Sequence, residues 1–308
     1  MKTGINIDDK EMRKDSRFYI SFLEKLKDFY PRIEAVEITY SSLKCAKPYD
    51  IHEVKEITTV LSAFPFEYTV HFDKLIDWCF KDFSKAQQEL SYCLEFCEKI
   101  KCSTLSIHCI NPVLISFEKF NRNFYHSAER EQQDKKMMEL ELTIVQWILV
   151  TMKNTSIQLL IENALPKINA THYSYAIDPR MMITQIQKIK NDKISICFDW
   201  GHAFLASEYL NWNFEEILKT LLPFASQMHV HNNYGHPTHH GTSEHKHLIH
   251  PHADFHLPLY EGKIPYQSLF HLLNDFKGLF LMEYTFGNCN QLWESISKSL
   301  EYIENIRR

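Results

Sequence analysis

The chain has 308 residues, 44% of them apolar, enough to bury a large core in one α/β domain or two small ones. A net charge of −5 and the lack of a Lys/Arg-rich run weigh against tight nucleic-acid binding, leaving room only for a local basic groove. Seven glycines with no Gly-rich loop leave dinucleotide-binding and P-loop readings without their phosphate cradle.

The N-terminal stretch MKTGINIDDKEMRKD has no apolar segment before a cleavage site, so no signal peptide is expected. No apolar run approaches the roughly 20 residues that cross a bilayer, which predicts a cytoplasmic protein without a membrane span. The cysteines (Cys45, Cys79, Cys93, Cys97, Cys102, Cys109, Cys197 and Cys289) form no CxxC pair. Several lie in apolar segments, so reduced and mostly buried thiols are expected.

In chain order, short β-rich apolar runs alternate with helical patterns. Residues 3–7 form a weak first strand, and 11–30 carry apolar residues at helical spacing. Residues 35–40 (AVEITY) read as a second strand, 54–64 as a helix stopped by Pro65, and 68–72 as a third strand. A helix over 84–100 precedes a fourth strand at 103–109, and a long helix over 130–152 precedes a fifth at 156–162. Then come a helix at 179–189, a strand at 194–199, a helix at 214–221 and a strand at 227–231. A helix at 266–275, an eighth strand at 279–283 and a helix at 291–306 complete the chain. Eight strand–helix units at this length predict a single (β/α)8 barrel over 1–308, with an open doubly wound sheet as the rival. The long loops after the fourth and seventh strands are where functional insertions belong.

Ten of the seventeen histidines crowd between Gln227 and His256. Imidazole and carboxylate are the common metal ligands, so a strand end followed by a His/Asp loop suggests a metal centre. The last polar residues of the other strands extend the pattern. The third ends at His71, the fourth at His108, the fifth at Glu162-Asn163, and the sixth at Asp199 with His202 three residues on. The seventh ends at His229, with Asp254-Phe255-His256 in the following loop, and the eighth at Glu283. Any one of these alone reads as an ordinary hydrogen-bonded residue or a helix cap. Together, at six consecutive strand ends, they would meet on one barrel rim as an uncompensated charge cluster unless cations were bound. His236, His239, His240, His245, His247, His250 and His252 lack this register and are expected at the surface or against substrate.

The stretches LLIEN (159–163), CFDWGHA (197–203), MHVHNN (228–233), DFHLPLYEGKIPY (254–266) and LMEY (281–284) resemble the xylose isomerase-like superfamily. That superfamily holds sugar phosphate isomerases and epimerases together with endonuclease IV. The resemblance implies a single-metal set of Glu162, Asp199, His229 and Glu283. It also implies His71, His108, His202, Asp254 and His256 as the further ligands of a three-zinc centre. Zinc or manganese, one to three ions per chain, is the cofactor implied. Two residues depart from the family pattern: Asn232 stands where Asp is usual, and Tyr260 replaces the first Gly of a Gly-x-Gly turn.

The resemblance implies a sugar isomerase or epimerase, with a phosphoesterase as the alternative. In the first, a divalent ion and the proton-transferring pair Glu162 and Glu283 isomerise or epimerise a sugar, sugar phosphate or related polyol through an enediolate, with His231, Asn232 and Lys263 against the substrate. In the second, an endonuclease IV-like multi-zinc centre hydrolyses phosphoesters. A small carbohydrate is the partner expected under the first, oligomerisation is open under both, and the intact ligand set disfavours a non-enzymatic role.

Overall fold

The computed structural model describes residues 1–8, 16–40, 51–72, 83–110, 113–114, 124, 127–166, 172–236, 254–284 and 289–307. Eight strands carry the fold: β1 (Lys2–Asp8), β2 (Ile33–Thr39), β3 (Glu67–Phe72), β4 (Thr104–His108), β5 (Gln158–Glu162), β6 (Ile194–Asp199), β7 (Ala225–Val230) and β8 (Leu279–Met282). All neighbours pair in parallel and β1 pairs with both β2 and β8, so the sheet closes into a (β/α)8 barrel.

The helices are α1 (Ser16–Phe29), α2 (Ile51–Ser62), α3 (Phe83–Ile100), α4 (Ala128–Thr151), α5 (Pro179–Ile189), α6 (Trp200–Leu210), α7 (Phe214–Leu221), α8 (Tyr266–Leu269) and α9 (Cys289–Arg307). Their starts follow the local chemistry. Asp178 caps α5 ahead of Pro179, whose missing N–H costs nothing at the first helical position. Asn213 caps α7 by accepting from the Glu216 N–H. The apolar side chains between sheet and helices form one large core.

The strand order and the eight-fold repeat match the sequence expectation. Three features do not. α6 was not anticipated because nearly every residue in it is buried, including Trp200, His202, Phe204 and Leu205, so it has no polar face to reveal a helical period. A two-residue antiparallel pair joins Val113–Leu114 to His172–Tyr173, too short to show alternation. The helix expected over 266–275 is an α-turn, α8, that tightens into a 3-10 turn at Phe270–Leu273.

The barrel interior beneath the rim is polar. The Gln227 amide donates to Glu37 Oε1 (2.6 Å) and Ser106 Oγ (3.1 Å), and Thr104 donates to Gln227 Oε1 (3.1 Å). Asn6 donates to Glu37 Oε2 (2.7 Å) and accepts from Thr39 (2.9 Å). A satisfied network of this kind fixes rotamers more sharply than apolar packing would. It forms the floor on which the rim side chains stand. Cys93, Cys97, Cys102, Cys109 and Cys197 are buried, as expected; Cys45 and Cys79 lie outside the described residues. Among the described residues no helix is long and apolar enough to cross a membrane.

Candidate metal centre

The parallel register sets the candidate residues at one level. His108 pairs opposite Glu162 across β4–β5, and Asp199 opposite His229 across β6–β7. His71 lies one residue before the end of β3, with its side chain buried. Glu283 follows β8 directly, its N–H bonded to the Val230 carbonyl (3.1 Å). The long insertion after β7 is closed at its base by an antiparallel pair in which Asn232 and Leu257 exchange both backbone hydrogen bonds (2.7 and 2.9 Å). That closure returns Asp254 and His256 to the rim. His256 is held at φ 47°, a left-handed conformation that costs a non-glycine residue about 1–3 kcal/mol and therefore has to be imposed by its surroundings. The histidines at 239, 240, 245, 247, 250 and 252 lie outside the described residues.

The nine side chains fall into three groups, two of which share Glu162, while His71 and His229 also form a further group with Glu37; within each group the ligand atoms lie within 4.8 Å of one another. His71, His108 and Glu162 form the first, and Glu162, Asp199, His229 and Glu283 the second. His202, Asp254 and His256, joined by His231, form the third. Glu162 belongs to two groups through different oxygens. Its Oε2 faces His71 Nε2 (3.0 Å) and His108 Nδ1 (3.7 Å), while Oε1 faces His229 Nδ1 (3.4 Å). Glu283 Oε2 lies 3.2 Å from His229 Nδ1.

Tautomers are set from behind. His229 Nε2 points at Glu37 Oε2 (2.8 Å), which leaves Nδ1 toward the group. His202 Nδ1 meets the Asn163 carbonyl (2.9 Å) and His256 Nδ1 the Glu283 carbonyl (3.2 Å), which leaves both Nε2 atoms inward. The Asn163 side chain pairs with both backbone groups of Asp199, donating to its carbonyl (3.0 Å) and accepting its N–H (2.7 Å). Asp199 Oδ1 accepts the His202 N–H (2.6 Å), capping α6.

Glu37 was not singled out from the sequence. The available signal was a lone carboxylate inside the apolar strand AVEITY, a position buried completely here. Of the residues expected against substrate, Asn232 is buried and Lys263 exposed. Asn232 spends its amide on the backbone, donating to the Leu259 carbonyl (2.9 Å) and accepting from the Asn233 and Ile264 N–H groups (both 2.9 Å). An Asp there could not donate to Leu259. Lys263 Nζ lies at the exposed lip, 3.3 Å from His236 Nε2.

Several buried atoms of this cluster have no hydrogen-bond partner: both nitrogens of His71 and His231, both oxygens of Glu162, Asp199 Oδ2, His229 Nδ1 and Asp254 Oδ1. They face one another at ion-pair distances such as His71 Nε2–Glu162 Oε2 (3.0 Å) without good hydrogen-bond geometry, an arrangement that a coordinated cation would satisfy. Without ions the charges compensate one another. Burial opposes ionisation of Glu162, but His108, His229 and His71 outweigh it and hold the carboxyl well below its usual range. Burial likewise opposes the charge on His71, yet Glu162 raises it to about 9. Asp254 and Glu283 overcome burial to raise His256 to about 10. The imidazole and carboxylate donors suit zinc or manganese.

The fold has solved relatives. A D-tagatose 3-epimerase-like protein superposes with TM-score 0.65 at 17% identity, covering 100% of this chain and 98% of that one. Endonuclease IV from Thermus thermophilus superposes with TM-score 0.62 at 14% identity, covering 99% and 100%. The 3-keto-D-glucoside 4-epimerase from E. coli superposes with TM-score 0.59 at 12% identity, covering 98% and 99%. At these identities the likeness is one of fold. No curated protein matches the sequence. The model of the xylose isomerase-like TIM barrel family matches residues 33–306, and the chain belongs to that family.

Proposed function

We propose that this chain is a divalent-metal-dependent phosphoesterase whose rim holds up to three ions. The observation that carries the reading is the double membership of Glu162, with one carboxylate oxygen turned to each of two ligand groups. A single-ion isomerase would need only Glu162, Asp199, His229 and Glu283. It would leave His71, His108, His202, Asp254 and His256 buried or half-buried without a task. When bound, the ions supply positive charge against phosphoryl oxygens and render water acidic enough to attack at neutral pH. The chain's own residues do the rest. Glu162 holds two groups in fixed register, Glu37 orients His229, and Asn163 fixes both Asp199 and His202. At the lip the Lys263 ammonium offers positive charge, and His236 a ring nitrogen, to a phosphate. The net charge of −5 favours a small phosphoester over a long duplex.

The second group favours one other reading, because it is a complete four-ligand set with Glu162 and Glu283 both beside His229. One ion there, with those two glutamates exchanging protons, would isomerise or epimerise a sugar or sugar phosphate. Elemental analysis of untagged protein purified without chelator separates the two, together with parallel assays. Three ions per chain and hydrolysis of bis(4-nitrophenyl) phosphate support the phosphoesterase. One ion per chain, with deuterium wash-in to ketoses or their phosphates and no hydrolysis, overturns it.

A further inference from the structure

We infer that Glu141 is a positioning residue, which sets the spacing of His108 and Glu162 and thereby the affinity of the first ligand group. The inference rests on that group holding an ion. Glu141 lies on α4, outside the barrel, buried among Met137, Met138, Ile144, Val145 and Ile148. An apolar side chain would serve packing there. The chain instead buries a carboxylate whose three hydrogen-bond partners are all neutral. Oε2 accepts the Ile110 N–H (2.8 Å), and Oε1 accepts the Tyr175 hydroxyl and the Gln185 amide (3.2 Å). Burial raises the pKa of the carboxyl, and those three bonds work against it. Gln185 also donates to the Met138 carbonyl (2.7 Å) and leaves its own buried Oε1 without a partner. Turning that amide over would set its oxygen against two acceptors, so Gln185 is oriented by Glu141 and Met138 together.

The other two bonds run to two strand ends. Ile110 comes two residues after His108, and the Cys109 N–H between them bonds to the Glu162 carbonyl (3.2 Å). Tyr175 opens a 3-10 turn, and beside it the Ala176 carbonyl accepts the N–H of Ala164 (3.1 Å), two residues after Glu162. Cys109 Sγ and Ser174 Oγ, 3.0 Å apart, join the two segments. His108 and Glu162 are register partners across β4–β5, and one carboxylate on α4 therefore holds the chain just past both. A shift of either tie changes the 3.7 Å approach of His108 Nδ1 to Glu162 Oε2. Contacts behind a ligand set metal affinity by about 10–100-fold. The rival role is a plain buttress, in which Glu141 holds helix to barrel without bearing on the rim.

The full chain tests this in two steps. In Glu141→Gln the new NH2 faces a donor whichever way the amide turns, Ile110 on one side or Gln185 on the other. Amide hydrogen exchange of the metal-free variant should speed up by at least about tenfold at Cys109, Ile110 and Ala164 and stay as it was in β1, β2 and β8. Zn2+ titration against a chromophoric chelator should then show one ion weakened by about 10–100-fold and the others within about threefold of wild type. Combined with His108→Ala, Glu141→Gln should leave no weakened ion, because removing His108 empties the group that Glu141 serves.

A weakened ion that persists in the double variant overturns the inference. So does faster exchange at those three amides with every ion at its wild-type affinity, which is the buttress. Uniform weakening of all ions, unchanged exchange at the three amides, or faster exchange throughout the barrel overturns it too. Should Glu141→Gln not fold, Tyr175→Phe deletes one tie alone and should weaken the ion that depends on His108 by at least about threefold. Unchanged affinities in that variant overturn the inference. The expected pattern without phosphoester hydrolysis would sink the phosphoesterase and leave the role of Glu141 standing; hydrolysis with ions indifferent to Glu141 would do the reverse.

Discussion

Glu162 and Glu37 act at opposite ends of the same imidazole pair. Glu162 lies in front of His71 and His229, with its two oxygens turned to different groups. Glu162→Gln keeps the size but removes the charge both groups share, so bound metal should fall by about two ions per chain while the third group keeps its own. Elemental analysis of the variant checks this, and loss of only one ion would refute the shared role. Glu37 lies behind His229 at 2.8 Å. Glu37→Gln should weaken the ion beside His229 by about 10–100-fold with little change in the others, measured by competition against a chromophoric chelator. The two residues differ in legibility. Glu162 ends a strand in a motif, and any barrel would bring it to the rim. Glu37 sits mid-strand, and its role depends on which residue of β7 points at it across the interior, which the sequence of β2 alone does not contain.

At the scale of elements, the strands were legible as short apolar runs buried on both faces, and most helices because each buries one face and shows its period. α6 was not, although it delivers His202 to the rim. Nearly all of it is buried, so neither pattern nor polarity marks it off from the strand before it. The start of α6 is specified from outside the element, by Asn163 directly after β5. Its two hydrogen bonds to the Asp199 backbone fix the turn from β6 into α6. Asn163→Ala leaves those two buried backbone groups without side-chain partners. It should destabilise the fold by about 2–4 kcal/mol, since each orphaned buried group costs roughly 1–3 kcal/mol less whatever water recovers. Urea unfolding of the metal-free protein measures this directly. A cost under about 0.5 kcal/mol would show that the turn is held by other contacts. The insertion after β7 was legible only at its ends. Asp254 and His256 were placed by motif, whereas the Asn232–Leu257 closure that brings them back depends on an isolated backbone pairing with no period to read.

For the whole molecule, the rim is a store of paired charge whose content depends on whether ions or protons occupy it. In the metal-free protein His71 and His256 are raised to about 9 and about 10, by carboxylates that outweigh burial. A histidine raised on folding contributes stability that is fully present below its unfolded value of about 6.5 and is lost as pH climbs through its folded value. The metal-free protein should therefore lose stability between about pH 7 and pH 10. Ions displace those same protons, so metal affinity should rise over the same window. Two measurements follow. Loading the metal-free protein near pH 7.5 should release protons, seen as a binding heat that scales with the ionisation enthalpy of the buffer. The melting temperature of the loaded protein should pull away from that of the metal-free protein as pH rises from 7 to 9. Saturation at about a thousand times the dissociation constant would contribute about 4 kcal/mol per independent site. If loading releases no protons, the histidines are neutral before the ions arrive. The charge compensation inferred from His71, Glu162, Asp254 and His256 would then be wrong, even if the ions bind where the three groups place them.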